Sequence, residues 1–159
     1  MPLTDRFTEL WIEQLKTLYS LERQLVAALP EMARSAESDE VKKLLVRQRS
    51  RAKANAGLLR QILLELDEVP EGENCAAIER LVGEWTPSGD DILRLRTVRK
   101  AVHQEIARLS KAVNGALVLG YDDLAESLQA AMEEELREDA TLARLGRTIH
   151  HHAQRFLAA

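Results

Sequence analysis

Four long stretches of the chain carry apolar residues at the three- and four-residue spacing of an amphipathic helix. They cover about residues 5–29, 39–66 and 88–119, and the fourth begins at residue 122. Alternating, strand-like patterns are nearly absent. Because each stretch must bury its apolar side against another helix, this periodicity predicts an all-α fold.

Residues with helix-capping chemistry stand near the ends of these stretches. Thr4 or Asp5 would cap the first helix, and Pro30 would lie near its end. Ser38 precedes the second helix, and Ser88 stands at capping-box spacing before Asp91 in the third. These positions set the expected helix boundaries.

Residues 67–91 between the second and third helices are rich in turn-forming residues and contain one short helical segment, "AAIERLVGEW". A final short helix is expected over about residues 147–157. Two long helical hairpins of similar size, joined by a long crossover, are typical of a four-helix bundle with one long connection. The 159 residues suit a single domain spanning 1–159.

The composition excludes several classes of function. The net charge is −4, and no basic stripe is interleaved with aromatic residues, so nucleic acid is not an expected partner. No apolar run reaches bilayer length and no secretory leader is visible, so we expect a cytoplasmic protein without membrane association. Cys75 is the single cysteine, which rules out an internal disulfide and predicts a small buried residue. The three consecutive histidines at 150–152 diverge around a helix and predict an exposed terminal segment.

Carboxylates stand where the apolar stripes call for leucine. They are Glu22 in the first helix, Glu105 in the third, and Glu135 with Asp139 one turn later in the fourth. Burying a charge is costly unless it is paired or bound to a metal, so acids in these positions need an explanation. One alternative is that some of them lie at helix edges and reach water.

The heights of these acids along the bundle favour a common site. Glu22 lies roughly 18 Å from the first hairpin turn and Glu105 roughly 22 Å from the second, by the rise per residue of a helix. If the crossover spans the bundle, the two turns lie at opposite ends and all four acids meet at mid-height. There they would face a polar stretch of the second helix, Gln48, Arg51 and Asn55. Inward acids from several helices predict a carboxylate-bridged site for iron or manganese.

At these residues the sequence resembles the YciF-like (YciE/YciF) ferritin-like family of bacterial proteins. The resemblance rests on "EQLKTLYSLERQLVAALPEMA", "ENCAAIERLVGE", "VHQEIARLSKAVNGALVLG" and "SLQAAMEEELREDATLARL". It covers nearly the whole chain to about residue 145 and includes the lone Cys75. The resemblance implies a ferritin-like bundle, a homodimer, an association with stress responses and a metal site whose biochemical activity is poorly defined.

The family's metal-binding acids map onto Glu22, Glu105, Glu135 and Asp139, but the second helix departs from the family pattern. Where relatives resemble "HLEETKGHVERL", this chain reads "QRSRAKANAGLL". Arg51 replaces an expected acid and Asn55 an expected histidine, while His103 survives one residue off the stripe. These departures predict a degenerate centre holding no metal or only weakly bound iron or manganese.

Three functions remain open from the sequence. The first is a structural or interaction protein of a stress response, in which Arg51 replaces the metal as counter-ion, with Gln48, Asn55 and His103 lining the site. The second is a non-haem di-iron or di-manganese carboxylate enzyme, with oxidase, ferroxidase or peroxidase-like chemistry. The third is a single-metal site built from the four acids. The altered second helix, with Arg51 and Asn55, favours the first function over an enzyme and leaves the question of enzyme activity open.

Overall fold

The computed structural model describes residues 3–85 and 89–158, and over these ranges the chain is helical without strands. The five helices are α1 (Leu3–Arg34), α2 (Asp39–Glu65), α3 (Ala76–Glu84), α4 (Asp91–Val118) and α5 (Asp122–Ala158). The predicted all-α class is therefore confirmed. None of the described helices is both long and apolar enough to cross a lipid bilayer.

The four long helices pair as two hairpins. Helix α1 packs mainly on α2, α4 packs mainly on α5, and further contacts join α1 to α4 and α2 to α5. The short helix α3 lies in the crossover and packs on both α1 and α4. This is the predicted bundle of two hairpins with one long connection.

The first helix is longer at both ends than its sequence predicted. It begins at Leu3, so Thr4 lies inside it, and it continues through Pro30 to Arg34. Proline removes one helical hydrogen bond, but Met32 and Ala33 beyond it are buried in the core. Burial of this last turn outweighs the local cost of the proline, which is why the helix does not end there.

Ser38 caps α2 as predicted, because its hydroxyl oxygen accepts a hydrogen bond from the backbone N–H of Val41 at 3.2 Å. The predicted cap of α4, Ser88, lies outside the described residues. Asp90 is the N-cap in the structure and accepts from the N–H of Leu93 at 2.8 Å. Asp91 is buried and instead accepts from the backbone N–H groups of residues 37 and 38 at 2.9 and 2.8 Å.

The prediction of a separate C-terminal helix over residues 147–157 is wrong, because α5 runs without interruption from Asp122 to Ala158. Gly146 lies in its path, but a single glycine weakens a helix without ending it. Leu142 is buried and Ile149 packs partly on the core, which holds this part of α5 against the bundle. Beyond Ile149 every described residue is exposed, including the three histidines.

Trp11 fixes α1 to the second hairpin. Its indole N–H donates to the carbonyl of Ala112 at 2.9 Å, and its ring stacks on Tyr121 with centroids 5.5 Å apart. Gly115 lets the indole approach α4, because a Cβ at this position would lie 2.1 Å from Trp11 Cδ1. The absence of a side chain at Gly115 therefore makes this helix contact possible.

We expect Gly115→Ala to destabilise the bundle by roughly 1–3 kcal/mol, because the added methyl overlaps the rigid indole. Gly57→Ala is the matched control, since a Cβ there meets nothing within 4 Å in α2. The control should instead stabilise the protein by about 0.5–1 kcal/mol through its better helix propensity. Urea unfolding of both variants measures the difference, and equal effects would contradict the role given to Gly115.

Candidate functional site

Three glutamates from three different helices meet in the centre of the bundle. Glu22 of α1, Glu105 of α4 and Glu135 of α5 each have 0% exposed surface. Gln48 and Asn55 of α2 are also buried and lie against them. We call these five residues the glutamate cluster. Each acid occupies a core position of its helix, one turn from buried leucine or alanine neighbours, so the helical phase directs it inward.

The two amides connect the three acids. The Gln48 side-chain NH₂ donates to Glu105 Oε2 at 3.3 Å and to Glu135 Oε2 at 3.1 Å. The Asn55 NH₂ donates to Glu22 Oε1 at 3.3 Å and to Glu135 Oε1 at 3.0 Å. Each amide therefore uses both of its N–H groups on the acids, and Glu135 is bound through both oxygens.

Burial raises the pKa of all three acids above the ordinary range of a glutamate. For Glu22, burial and the charge of Glu135 raise the pKa to about 8, against the opposing hydrogen bonds of Glu105 and Asn55. The pKa of Glu105 lies well above its usual value because of burial and of repulsion by both neighbouring acids. Burial also raises the pKa of Glu135, although hydrogen bonds from Gln48 and Asn55 favour its charged form. Glu135 is thus the best-stabilised anion of the three.

Protons shared between the carboxyl groups would provide hydrogen bonds for the buried oxygens of the cluster that the two amides do not bind. Within the cluster, Glu22 Oε2, Glu105 Oε1 and Gln48 Oε1 are buried without a hydrogen-bond partner among the described residues. The carboxyl groups of Glu22 and Glu105 lie within hydrogen-bonding range of each other, and those of Glu105 and Glu135 do as well. Two carboxyl groups this close need a proton or a cation between them to offset their repulsion. A protonated Glu105 can donate to either neighbour.

The residues of the cluster do not fit the di-metal centre of carboxylate proteins. Such a centre takes about four carboxylates together with imidazoles, whereas the cluster has three carboxylates and no histidine. The amides of Gln48 and Asn55 direct N–H donors, which cannot bind a cation, toward the acids. Over residues 3–85 and 89–158, no group of three or more His, Cys, Asp or Glu side chains is arranged to hold a metal ion.

Asp139 does not join the other acids, contrary to the expectation that all four converge. Its carboxylate accepts from Arg99 Nε at 2.9 Å and contacts His103 Nε2 at 3.0 Å on the outer side of α4 and α5. Partial burial acts to raise the pKa of Asp139, but the hydrogen bonds from Arg99 and His103 outweigh it and hold the pKa below its usual value. One turn after Glu135, the helix has already rotated this side chain toward the surface, where cations are available.

Arg51 pairs with an acid outside the cluster. Its guanidinium donates to Glu134 at 2.9 Å, and none of its hydrogen bonds reaches the three buried acids. Asn55, not Arg51, reaches Glu22, because Asn55 faces the centre of the bundle whereas Arg51 lies at the edge of α2 beside α5, where Glu134 binds it. Arg51 acts on the cluster only at a distance, where its charge slightly favours ionised Glu135. The direct partners of the acids are amides.

His103 lies on the surface with a half-exposed side chain and contacts Asp139, so it does not line the cluster. Sequence analysis missed a further buried acid, Glu138, whose carboxylate pairs with Arg47 of α2. Glu138 and Glu135 are three residues apart, which places both toward α2 on one helical face. The three-residue spacing from Glu135, a predicted core acid, was the sequence feature that could have identified Glu138 as buried.

We expect Asn55→Ala to destabilise the protein by about 1–3 kcal/mol, because it removes two buried hydrogen bonds and leaves carboxyl oxygens unpaired. Arg51→Ala should cost no more than about 1 kcal/mol, because both side chains of its ion pair reach water, at 29% and 38% exposed, and Glu134 keeps Arg137 as a second partner. Chemical denaturation of the two variants compares them directly. A larger loss for Arg51→Ala would restore arginine as the counter-ion of the buried acids.

Solved structures with this architecture confirm that the fold is ferritin-like. YcfI from Rhodopseudomonas palustris, described as a candidate structural protein, aligns with a TM-score of 0.79 at 26% identity, covering 86% of this chain and 92% of its own. The Escherichia coli stress protein YciF aligns with a TM-score of 0.80 at 24% identity, covering 88% and 94%. A ferritin-like diiron-carboxylate protein from Bacillus anthracis aligns at 0.75 and 18% identity, covering 91% and 99%.

The sequence comparison identifies the family. No curated protein matches the sequence significantly. The family described as "Domain of unknown function (DUF892)" matches residues 6–154, which is nearly the whole chain. Together with the structural likeness to YcfI and YciF, this match confirms the YciF-like resemblance read from the sequence. The chain belongs to the DUF892 family and is a YciF-like, ferritin-like helical bundle.

Proposed function

We propose that this chain is a structural or interaction protein of a stress response in the cytoplasm, built on a ferritin-like bundle that has lost its metal chemistry. The observation that carries the proposal is the pair of amides, Gln48 and Asn55, whose N–H groups bind the three buried acids. The YciF stress protein and YcfI share the bundle, which supports a related role.

In the proposed protein, protons and amide dipoles stabilise the glutamate cluster in place of a metal. Burial raises the pKa of Glu22 to about 8 and the pKa of Glu105 well above its usual value, which favours the protonated form of both groups. One negative charge then remains, on Glu135, which accepts hydrogen bonds from both amides. A cluster with one charge needs no metal to offset repulsion among three.

A cluster that holds protons makes the stability of the protein depend on pH. A carboxyl group whose pKa is raised by folding stabilises the protein fully below its unfolded pKa, and this contribution is lost as pH rises through its folded pKa. For Glu22 the window extends from about 4.5 to about 8. Stability should therefore fall as pH rises through this window, by up to roughly 1.4 kcal/mol per pH unit for each such group.

We expect Glu22→Gln to flatten this pH dependence, because an amide does not titrate, and to stabilise the protein at the alkaline end of the window. Glu126→Gln, at an exposed position of α5, removes a carboxylate without touching the cluster and is the control. Urea unfolding across the pH window measures the slopes. A wild-type protein whose stability stays level or rises with pH would refute the proton-holding cluster.

Ferrous loading tests the loss of metal chemistry. Untagged protein mixed with ferrous iron in air should retain well under one iron per chain and show no rapid oxidation phase. The double variant Arg51→Glu with Asn55→His returns an acid and an imidazole to α2, and we expect it to bind more iron. Asn114→His, at an exposed position of α4, is the control for an added histidine.

Tight binding of two irons per wild-type chain with a fast oxidation phase would contradict the structural role and support a di-iron enzyme. Retention of a single tightly held ion that depends on Glu22, Glu105 and Glu135 would support a single-metal site. Weak, substoichiometric iron or manganese agrees with the degenerate centre proposed here.

We also propose a homodimer that covers the apolar outer side of α1. Phe7 and Leu10 of this helix are 39% and 58% exposed, and Leu3 is nearly fully exposed, so three apolar residues lie along one face. Ile12 and Val26 of the same helix are partly buried and pack against the core. Packing a second copy on this face would remove the exposed apolar area from water.

The dimer predicts that Leu10→Glu shifts the protein to monomer, because a carboxylate on the contact face would lose its hydration on association. Leu136→Glu introduces the same charge at a leucine that is 49% exposed on α5, a helix without packing contacts to α1 over the residues described, and should leave the mass unchanged. Light scattering over a range of concentrations checks both variants. A wild-type protein that is monomeric throughout would contradict the dimer.

A further inference from the structure

A groove of about 400 Å³ lies between the beginning of α4 and the last third of α5. It forms where the two helices reach the end of the bundle opposite their connecting turn. Its floor is apolar, with Leu95 and Leu142 buried beneath it, and Gly146 leaves space where another residue would carry a side chain. The volume lies within the usual range for sites that bind small molecules.

The rim of the groove is basic. Arg96, Arg99 and Lys100 follow each other along α4, and Arg147 faces them from α5. None of the residues that line the groove is acidic, although the whole chain has a net charge of −4. Positive charge is therefore concentrated in one place on an acidic protein, and such a cleft attracts anions.

Most of this charge is not used by the protein itself. Within the described part of the chain, Arg96, Lys100 and Arg147 form no ion pair. Arg99 is the exception, because Asp139 binds its guanidinium at the edge of the groove. Asp139 is thus a neighbour of the groove, not of the glutamate cluster.

We propose that this groove binds a small amphipathic anion, a molecule with an apolar body and a carboxylate, sulfonate or phosphate head. The apolar body would lie over Ile92, Ala143 and the open position at Gly146, which are only partly buried, and the head would lie against the arginine and lysine rim. Charge complementarity selects the head, because the guanidinium groups bind such oxyanions through paired hydrogen bonds. The apolar floor selects a molecule with a tail over a simple inorganic anion.

The direct test uses anilinonaphthalene sulfonate as a fluorescent probe of the full-length folded protein. We expect saturable binding with one probe per chain, and displacement by decanoate. Decyltrimethylammonium has the same tail with a positive head, and inorganic phosphate has the charge without a tail. Both should displace the probe at least about tenfold less well than decanoate if head and tail are both recognised.

Variants locate the binding on the protein. Gly146→Leu should abolish probe binding by filling the groove, because a side chain there enters open space. Gly57→Leu makes the same change in α2, also into open space, and should leave binding intact. The double charge-reversal variant, Arg96→Glu with Arg147→Glu, should weaken binding of the probe at least about tenfold. Asp139→Asn should strengthen it, because Arg99 is released from its ion pair.

Four results would overturn the proposal. Binding that is unchanged in Gly146→Leu would place the probe elsewhere. Equal displacement by the cationic detergent would exclude recognition of charge, and equal displacement by phosphate would exclude a role for the apolar floor. Sedimentation with phosphatidylglycerol vesicles, without binding of decanoate or the probe, would mean that the basic rim recognises a membrane surface and not a small anion.

Discussion

Three carboxyl groups buried at one point in the bundle impose the strongest physical constraint on this structure. Removing a carboxylate from water is expensive, and two further negative charges beside it make ionisation harder still. N–H donors from a single helix, α2, stabilise the buried acids. Their pKa values are also raised, which favours the protonated, uncharged form. The polar residues in the middle of α2 follow from this requirement, because an apolar face there would leave the acids without partners.

We propose that the same constraint distinguishes this chain from a ferritin-like metal protein with the same architecture. A metal ion offsets the charge of several carboxylates at once and needs lone pairs from every ligand. Gln48 and Asn55 place N–H groups against the acids, and Arg51, at the position of an expected acid, turns to Glu134. In the proposed protein the bundle and its inward acids remain, while α2 presents amides and an arginine where a di-metal centre would need further ligands. A shared fold does not by itself transfer a chemistry.

The sequence predicted the bundle and placed all five residues of the glutamate cluster toward its centre, because both depend on helical periodicity, which is strong over four long helices. The prediction failed where the position of a side chain depended on a small helical rotation or on the residue at which a helix ends. Asp139 lies one turn past Glu135, and the remaining rotation carries it to Arg99 and His103 on the surface. The extension of α1 past Pro30 moved the level opposite Glu22 by about one turn. The unbroken α5 could not be foreseen because burial of Leu142 and Ile149 beside Gly146 depends on tertiary packing.

The central claim is that Glu22 and Glu105 hold protons near neutral pH. Carbon-13 NMR of the carboxyl carbons in glutamate-labelled, metal-free protein measures this directly, with Glu22→Gln, Glu105→Gln and Glu135→Gln assigning the three signals. The account predicts that all three groups titrate above the ordinary range of glutamate, with Glu22 changing near pH 8 and Glu105 above its usual value by a wide margin. Three carboxyl groups that are fully ionised at neutral pH would contradict it, and would require a bound cation at the centre of the bundle.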